Sequence, residues 1–186
     1  APCIGDQAAI NVAIHAPPNA GNNATLTLCD QGPASNLFAS LGNTADPGGT
    51  WTGPNGLPHS ATYTPATDGP GPYTYTVMGL PPCTSASATV NVTDNTTPNA
   101  GPDASIILCT SGEAIALFAL LNGADPGGAW TDAYGDPAST MFDPSADQAG
   151  TFTYRLNGTS PCPGDSALVT IALQDPPDAG VGAVVH

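Results

Sequence analysis

Three stretches of this chain alternate apolar and polar residues with a period of two. Ala8, Ile10, Val12 and Ile14 share one face of the first, Ala88, Val90 and Val92 of the second, and Ala167, Val169, Ile171 and Leu173 of the third. That period predicts strands with one face buried. Leu26 with Leu28, and Ile106 with Leu108, repeat the pattern more briefly. "GPYTYTV" and "GTFTYRL" predict aromatic strands entered through a glycine turn. Only "ASNLFASL" and "EAIALFALL" space their apolar residues by three and four, and each predicts a turn or two of helix between strands.

The elements come in sets. "ADPGGTW" ends at Trp51 and "ADPGGAW" at Trp130, 79 positions on, while "LTLCD" around Cys29 returns as "IILCT" around Cys109, 80 positions on. "PNAG" begins at Pro18 and Pro98, and "PDAG" at Pro177. A fixed period over the whole length is the signature of tandem modules. The frame gives two whole repeats, 18–97 and 98–176. Residues 1–17 match the last strand of a preceding repeat, with Cys3 falling on Cys83 and Cys162, and residues 177–186 match the first strand of a following one. The chain reads as a window on a longer array.

Short strands, frequent Gly and Pro turns and one Trp per repeat predict an all-β chain of small Greek-key sandwiches, each with one short helical turn. In the Asp-Pro-Gly-Gly turns Pro fixes φ and Gly permits the left-handed region. Trp51 and Trp130, just after those turns, are expected to pack in the cores. Repeats of about 80 residues lie near the lower limit of independent folding, where covalent staples help.

Charge narrows the functions. Fifteen acidic residues face one basic residue, Arg155, for a net charge of −14. Nothing can neutralise phosphates, so nucleic acid and anionic membrane surfaces are excluded as partners. No apolar run reaches the roughly 18–20 residues of a membrane span. His15, His59 and His186 fall at non-equivalent points of the repeat, and no HExxH, GxSxG or CxxC pattern is present, so no enzyme is expected. Asp46 and Asp125 in the turns, with Asp103 and Asp178 near the joints, are the weak candidates for Ca²⁺. The competing reading gives Asp46 and Asp125 a turn-capping role, because no dense DxDxD ladder is present, and no cofactor is then required.

The five cysteines repeat with the unit, which points to disulfides and an oxidising, extracytoplasmic setting. Two schemes are open. The favoured one works within a repeat, Cys29–Cys83 and Cys109–Cys162, with the partner of Cys3 outside the chain; closing such a loop contributes about 4 kcal/mol. The other bridges the joints, Cys3–Cys29 and Cys83–Cys109.

The run from "PNAG" through "LFASLGNTADPGGTWTGP" to "YTYTVMGLPPCTSASATVNVTD" resembles the tandem extracellular Ig-like repeats of very large Bacteroidota surface proteins, among them the gliding-motility adhesins exported by the type IX route. The resemblance covers essentially the whole chain. It implies Ig-like sandwiches at the cell surface, serving adhesion, motility or a filament, with further copies of the repeat as partners. It also brings an O-glycosylation pattern, matched at Asp165-Ser166-Ala167. The rival function is a module that binds surface polysaccharide or protein through "TGPNGLPHSATYTP" and "TDAYGDPASTMFDP", the loops that differ most between copies, with His59 and Tyr134 as first suspects.

Overall fold

The computed structural model describes residue 5 and residues 7–177. The first repeat carries β1 (Ala24–Cys29), β2 (Ser35–Asn36), β3 (Thr50–Thr52), β4 (Pro58–His59), β5 (Thr62–Tyr63), β6 (Gly71–Val77) and β7 (Ala86–Asn95). Five of these form one sheet in the order β1-β7-β6-β3-β4, and β2 pairs with β5 in another. The chain passes back and forth between the two sheets, which is the Greek-key habit of an Ig-like sandwich.

The second repeat carries β8 (Ala104–Cys109), β9 (Ile115–Ala116), β10 (Ala129–Thr131), β11 (Met141–Phe142), β12 (Gly150–Leu156) and β13 (Asp165–Gln174). Its sheets run β10-β12-β13-β8 and β11-β9. The equivalent of β4 is reduced to a single bridge, Thr131 to Pro137. The chain is all-β and Ig-like, twice over.

Alternation along the strands becomes burial. Ala88, Val90 and Val92 fill the first core from β7, as Ala167, Val169 and Ile171 fill the second from β13. The short helical turns drop leucines into each core: Leu37 and Leu41 from the α-turn Leu37–Ser40, Leu117 and Leu121 from the 3-10 turn Leu117–Leu120. Asn36 caps the first turn by accepting from the Phe38 N–H; Ala116 has no side chain able to do so.

The two repeated phrases are one device. In the first repeat the Asn19 N–H donates to the Asp46 carboxylate at 2.8 Å, and the Asp46 N–H returns a bond to the Asn19 carbonyl at 2.8 Å. Asn99 and Asp125 repeat the exchange at 2.9 and 2.7 Å. The turn then folds onto a tyrosine: the Gly49 N–H donates to the Tyr75 hydroxyl, which donates to the Asp46 carbonyl, both at 2.7 Å. Gly128, Tyr154 and Asp125 do the same at 2.8 Å. A Cβ on Gly49 would lie 2.6 Å from the Tyr75 ring, and one on Gly128 would lie 2.5 Å from that of Tyr154, so only glycine fits. Trp51 and Trp130 lean on these tyrosines with ring centroids 5.1 and 5.0 Å apart, and both are buried.

One alternating stretch makes no strand. Residues 7–17 are unpaired, and Ile10, Val12 and Ile14 are 87%, 81% and 92% exposed. β7 and β13 are each hydrogen-bonded on both sides, whereas no described strand pairs with 7–17. Pattern alone does not hold a strand without a neighbour. The strand expected at 177–186 lies, beyond Pro177, outside the described residues.

Candidate functional site

Two places concentrate chemistry: a cleft at the loop end of each sandwich, and a cysteine clasp that belongs to the second unit.

In the second unit a cleft of about 340 Å³ is lined by Asp132, Tyr134, Ala138, Met141, Asp147 and Phe152. The Asp132 carboxylate accepts from the Tyr134 and Asp136 N–H groups at 2.9 and 3.0 Å, which shapes the turn and leaves the Tyr134 ring 87% exposed. The equivalent cleft of the first unit, about 260 Å³, is lined by Asn55, His59, Asp68 and Tyr73. Here the His59 ring nitrogens face the Ser60 carbonyl at 2.7 Å and the Asp68 carboxylate at 3.3 Å. The Thr64 N–H bonded to Asp68, with His59 beside it, holds that carboxyl below the usual carboxylate range despite some desolvation. His59 and Tyr134 therefore line equivalent clefts of different repeats. Asp68 and Asp147, their neighbours there, occupy the same position of the repeat and each accepts the N–H four residues before it; that 79-residue recurrence is the signal that could have found them, whereas Asp132 has no acidic counterpart.

Behind the first cleft, the Tyr63 hydroxyl donates to the Asp94 carboxylate, whose other oxygen is buried without a partner. Burial first, and then Asp94, push the Tyr63 phenol far up. The corresponding positions of the second repeat are Phe142 and Leu173, both packed with its core.

The cysteines overturn both sequence schemes: the bond joins Cys29 to Cys162, and Cys83 and Cys109 are thiols. Strand direction explains why. β8 runs parallel to β13, with Ala104 opposite Val169 and Cys109 opposite Gln174. Cys162 precedes the start of β13, so Cys109 and Cys162 stand at opposite ends of a ten-residue strand, about 30 Å long. In the first repeat Asn23 reaches Thr89 and Thr27 reaches Thr93, again parallel, and Cys29 and Cys83 are separated in the same way. A disulfide needs Cα atoms within about 7 Å. Neither Cys29–Cys83 nor Cys109–Cys162 meets that, whereas Cys29 and Cys162 are 5.0 Å apart. The joint scheme fails because Cys29 is committed to Cys162, leaving Cys83 and Cys109 unbonded. Cys3 lies outside the described residues.

The clasp is built around that bond. The first compact unit comprises Gly32–Asp94 with the residues before Cys29, and the second takes Cys29–Gln31 together with the chain from Asn95 onward. Within it the Asp30 N–H donates to the Asn95 carbonyl at 3.0 Å, and the Asp30 carboxylate accepts from the Thr97 hydroxyl and N–H at 2.6 and 2.9 Å. Those bonds, the hydroxyl's first, hold the Asp30 carboxyl below its usual range. The Asn95 amide donates to the Ser160 carbonyl at 2.8 Å, beside Cys162. Among the described residues, Cys29, Asp30 and Cys162 are the only His, Cys or acidic groups close enough together to suggest a metal, and the two sulfurs are bonded to each other.

The calcium candidates are not brought together. Asp46 and Asp125 hold the N–H groups of Asn19 and Asn99, and Asp103 holds that of Leu168, as Asn23 holds that of Thr89. Each is a backbone cap in its own loop, and Asp178 lies outside the described residues. Ser166 is exposed on β13, opposite Arg155.

No family model matches this sequence, and no curated protein matches it. Among solved structures the chain is similar to an I-band fragment of titin, at 14% identity over 88% of this chain and 68% of that one, with a TM-score of 0.46. It is similar to extracellular domains 3–5 of Drosophila OTK, at 12% identity over 82% of this chain and 60% of that one, with a TM-score of 0.42. The four N-terminal Ig domains of a Dscam1 isoform match at 10% identity over 88% and 47%, with a TM-score of 0.41. The sandwich assignment rests on the strand order, not on these likenesses.

Proposed function

We propose that this chain is a structural segment of a secreted, cell-surface filament or adhesin stalk, in which tandem Ig-like repeats supply reach and spacing outside the cell. The observation that carries the reading is the clasp: three residues of the first repeat fold with the second unit and are bonded there through Cys29–Cys162. A disulfide closing a loop of that length contributes about 5 kcal/mol in the chain-entropy model and persists in an oxidising compartment. The exposed apolar face of Ile10, Val12 and Ile14, in a segment whose repeat equivalents are paired strands, supports a further copy as partner. The sequence resemblance to Bacteroidota surface repeats supports a role in adhesion or gliding and export by the type IX route. The reading assigns no catalytic residue and no cofactor.

The second reading is a binding module acting through the clefts, favoured by their recurrence in both repeats with different linings around His59 and Tyr134. Surface polysaccharide is the ligand class it suggests, since an exposed tyrosine beside carboxylates suits sugar faces and hydroxyls.

The test is the mass of the native polypeptide on a denaturing gel, with and without reductant. A band of hundreds of kilodaltons in both lanes is expected. A band near the 18.4 kDa of this chain in both lanes would remove the single-chain stalk.

A further inference from the structure

The two cysteines left as thiols occupy the same two positions of the repeat as the two that are bonded. Cys109 ends β8 as Cys29 ends β1, and Cys83 lies in the loop before β7 as Cys162 lies in the loop before β13. Their accessibility suits further bonding: Cys109 is exposed, and Cys83 is half-buried, its thiol donating to the His15 carbonyl at 3.4 Å.

The surroundings of Cys109 repeat the clasp as well. The Thr110 N–H donates to the Gln174 carbonyl at 3.0 Å, as the Asp30 N–H does to the Asn95 carbonyl. The Thr110 hydroxyl donates to the Asp175 carboxylate at 3.1 Å, whereas in the first clasp Asp30 accepts from the Thr97 hydroxyl. The acid now stands on the joint, at Asp175, which aligns with Thr96, while Thr97 itself is replaced by Pro176; a hydroxyl–carboxylate bond between strand end and joint is kept through different positions. The end of β8 thus keeps two of the tethers that hold the end of β1, the strand-end N–H on the joint carbonyl and a hydroxyl–carboxylate bond, beside a cysteine at the same position.

We propose that Cys109 forms a disulfide with the Cys83-type cysteine of a further copy of this repeat, and Cys83 with the Cys29-type cysteine of another. The rule is that the cysteine ending a repeat's first strand bonds the cysteine before the last strand of the next repeat. It deepens the structural reading above, but requires only that repeats meet, in one chain or between chains.

The chemistry is thiol–disulfide exchange with a small-molecule disulfide such as oxidised glutathione. The Cys109 thiolate attacks one glutathione sulfur and expels the other as glutathione thiolate. The Cys83 thiolate of the second copy then attacks the Cys109 sulfur of that mixed disulfide and expels the remaining glutathione. Two protein thiols become one disulfide, one oxidised glutathione becomes two reduced, and the two protons lost by the protein thiols end on the two glutathione sulfurs.

The test uses two variants of the full chain. C3S/C83S keeps Cys109, and C3S/C109S keeps Cys83; both thiols lie outside the two cores, so thermal midpoints should match the parent's. Each is incubated alone and then mixed with the other in an oxidised glutathione buffer, and the products are read on a non-reducing gel and by peptide mass. The expected result is a mixed dimer carrying a Cys83–Cys109 peptide, exceeding either homodimer by about tenfold, a preference of about 1.4 kcal/mol. Homodimers through Cys109 as abundant as the mixed dimer would overturn the rule, and so would its absence. A third variant, C3S, keeps both thiols, and closure of Cys83 on Cys109 inside one such chain would overturn the rule as well. A small native polypeptide would remove the stalk and leave this result standing; a large one without the mixed dimer would remove the clasp rule alone.

Discussion

The two repeats share a corner and differ at a rim. At the corner, Gly49 on Tyr75 and Gly128 on Tyr154 are nearly superposable in their bonds, and the tryptophans beside them are equally buried. At the rim, the edge-on aromatic pair Tyr63–Tyr73 of the first repeat, 5.4 Å between centroids, becomes Phe142–Phe152 of the second, at 5.6 Å. The ring geometry is kept and the hydroxyls are gone, and with them the carboxylate of Asp94, replaced by Leu173. A buried hydroxyl and its acceptor are retained or lost together, because either alone is left unpaired in the core. The backbone of the repeat is thus fixed by the corner, while the rim is free to change chemistry in matched pairs.

Breaking the corner should have the largest effect. G49A and G128A each force a methyl into a tyrosine ring and a neighbouring carbonyl, and each should destabilise its own unit by about 3 kcal/mol. Amide exchange resolved by peptide would report the two units separately. Unequal losses would show that the shared phrase does different work in the two repeats.

The rim pairs should respond less, whether a polar partner is removed from the first or added to the second. D94L alone leaves the Tyr63 hydroxyl without its main acceptor and should cost about 1–2 kcal/mol, while Y63F with D94L should return close to the parent. F142Y alone should cost a similar amount in the second unit. Chemical denaturation of the singles and the double measures the coupling, and additive values would sever the pair.

Acid gives the smallest and most local difference. Asp68 is held below its usual value in the folded state, so its contribution is present above the unfolded value and is lost as the pH falls through the folded one. H59A removes one cause of that depression. It should flatten the first unit's loss of stability between about pH 5 and pH 2 by ~0.3 kcal/mol, a partly exposed pair being worth little, and leave the second unit unchanged. Thermal midpoints across that range check the sign.

Much of this was legible in the sequence. The alternation of Val90 with Val92 and of Val169 with Ile171 marks the strands, and the recurring Trp51 and Trp130 mark the repeat. What the pattern leaves open is the neighbour: it specifies a face but not a partner. Among the described residues Ile10, Val12 and Ile14 carry a strand's alternation with no strand beside them. The within-repeat cysteine scheme requires the first and last strands of a repeat to bring Cys29 near Cys83, and nothing in the spacing tells parallel from antiparallel. Asp46 and Asp125 take the capping role that the sequence analysis sets against calcium, although the N–H groups they hold, of Asn19 and Asn99, are distant in sequence and could not be named from it.

The Cys29–Cys162 bond has a mechanical meaning. Tension carried along the chain crosses from Cys29 to Cys162 through the two sulfurs, so residues 30–161, with β2 through β12, lie outside the loaded path. Only the stretches before Cys29 and after Cys162 bear the pull, and the chain between them can pay out no length until the bond is reduced.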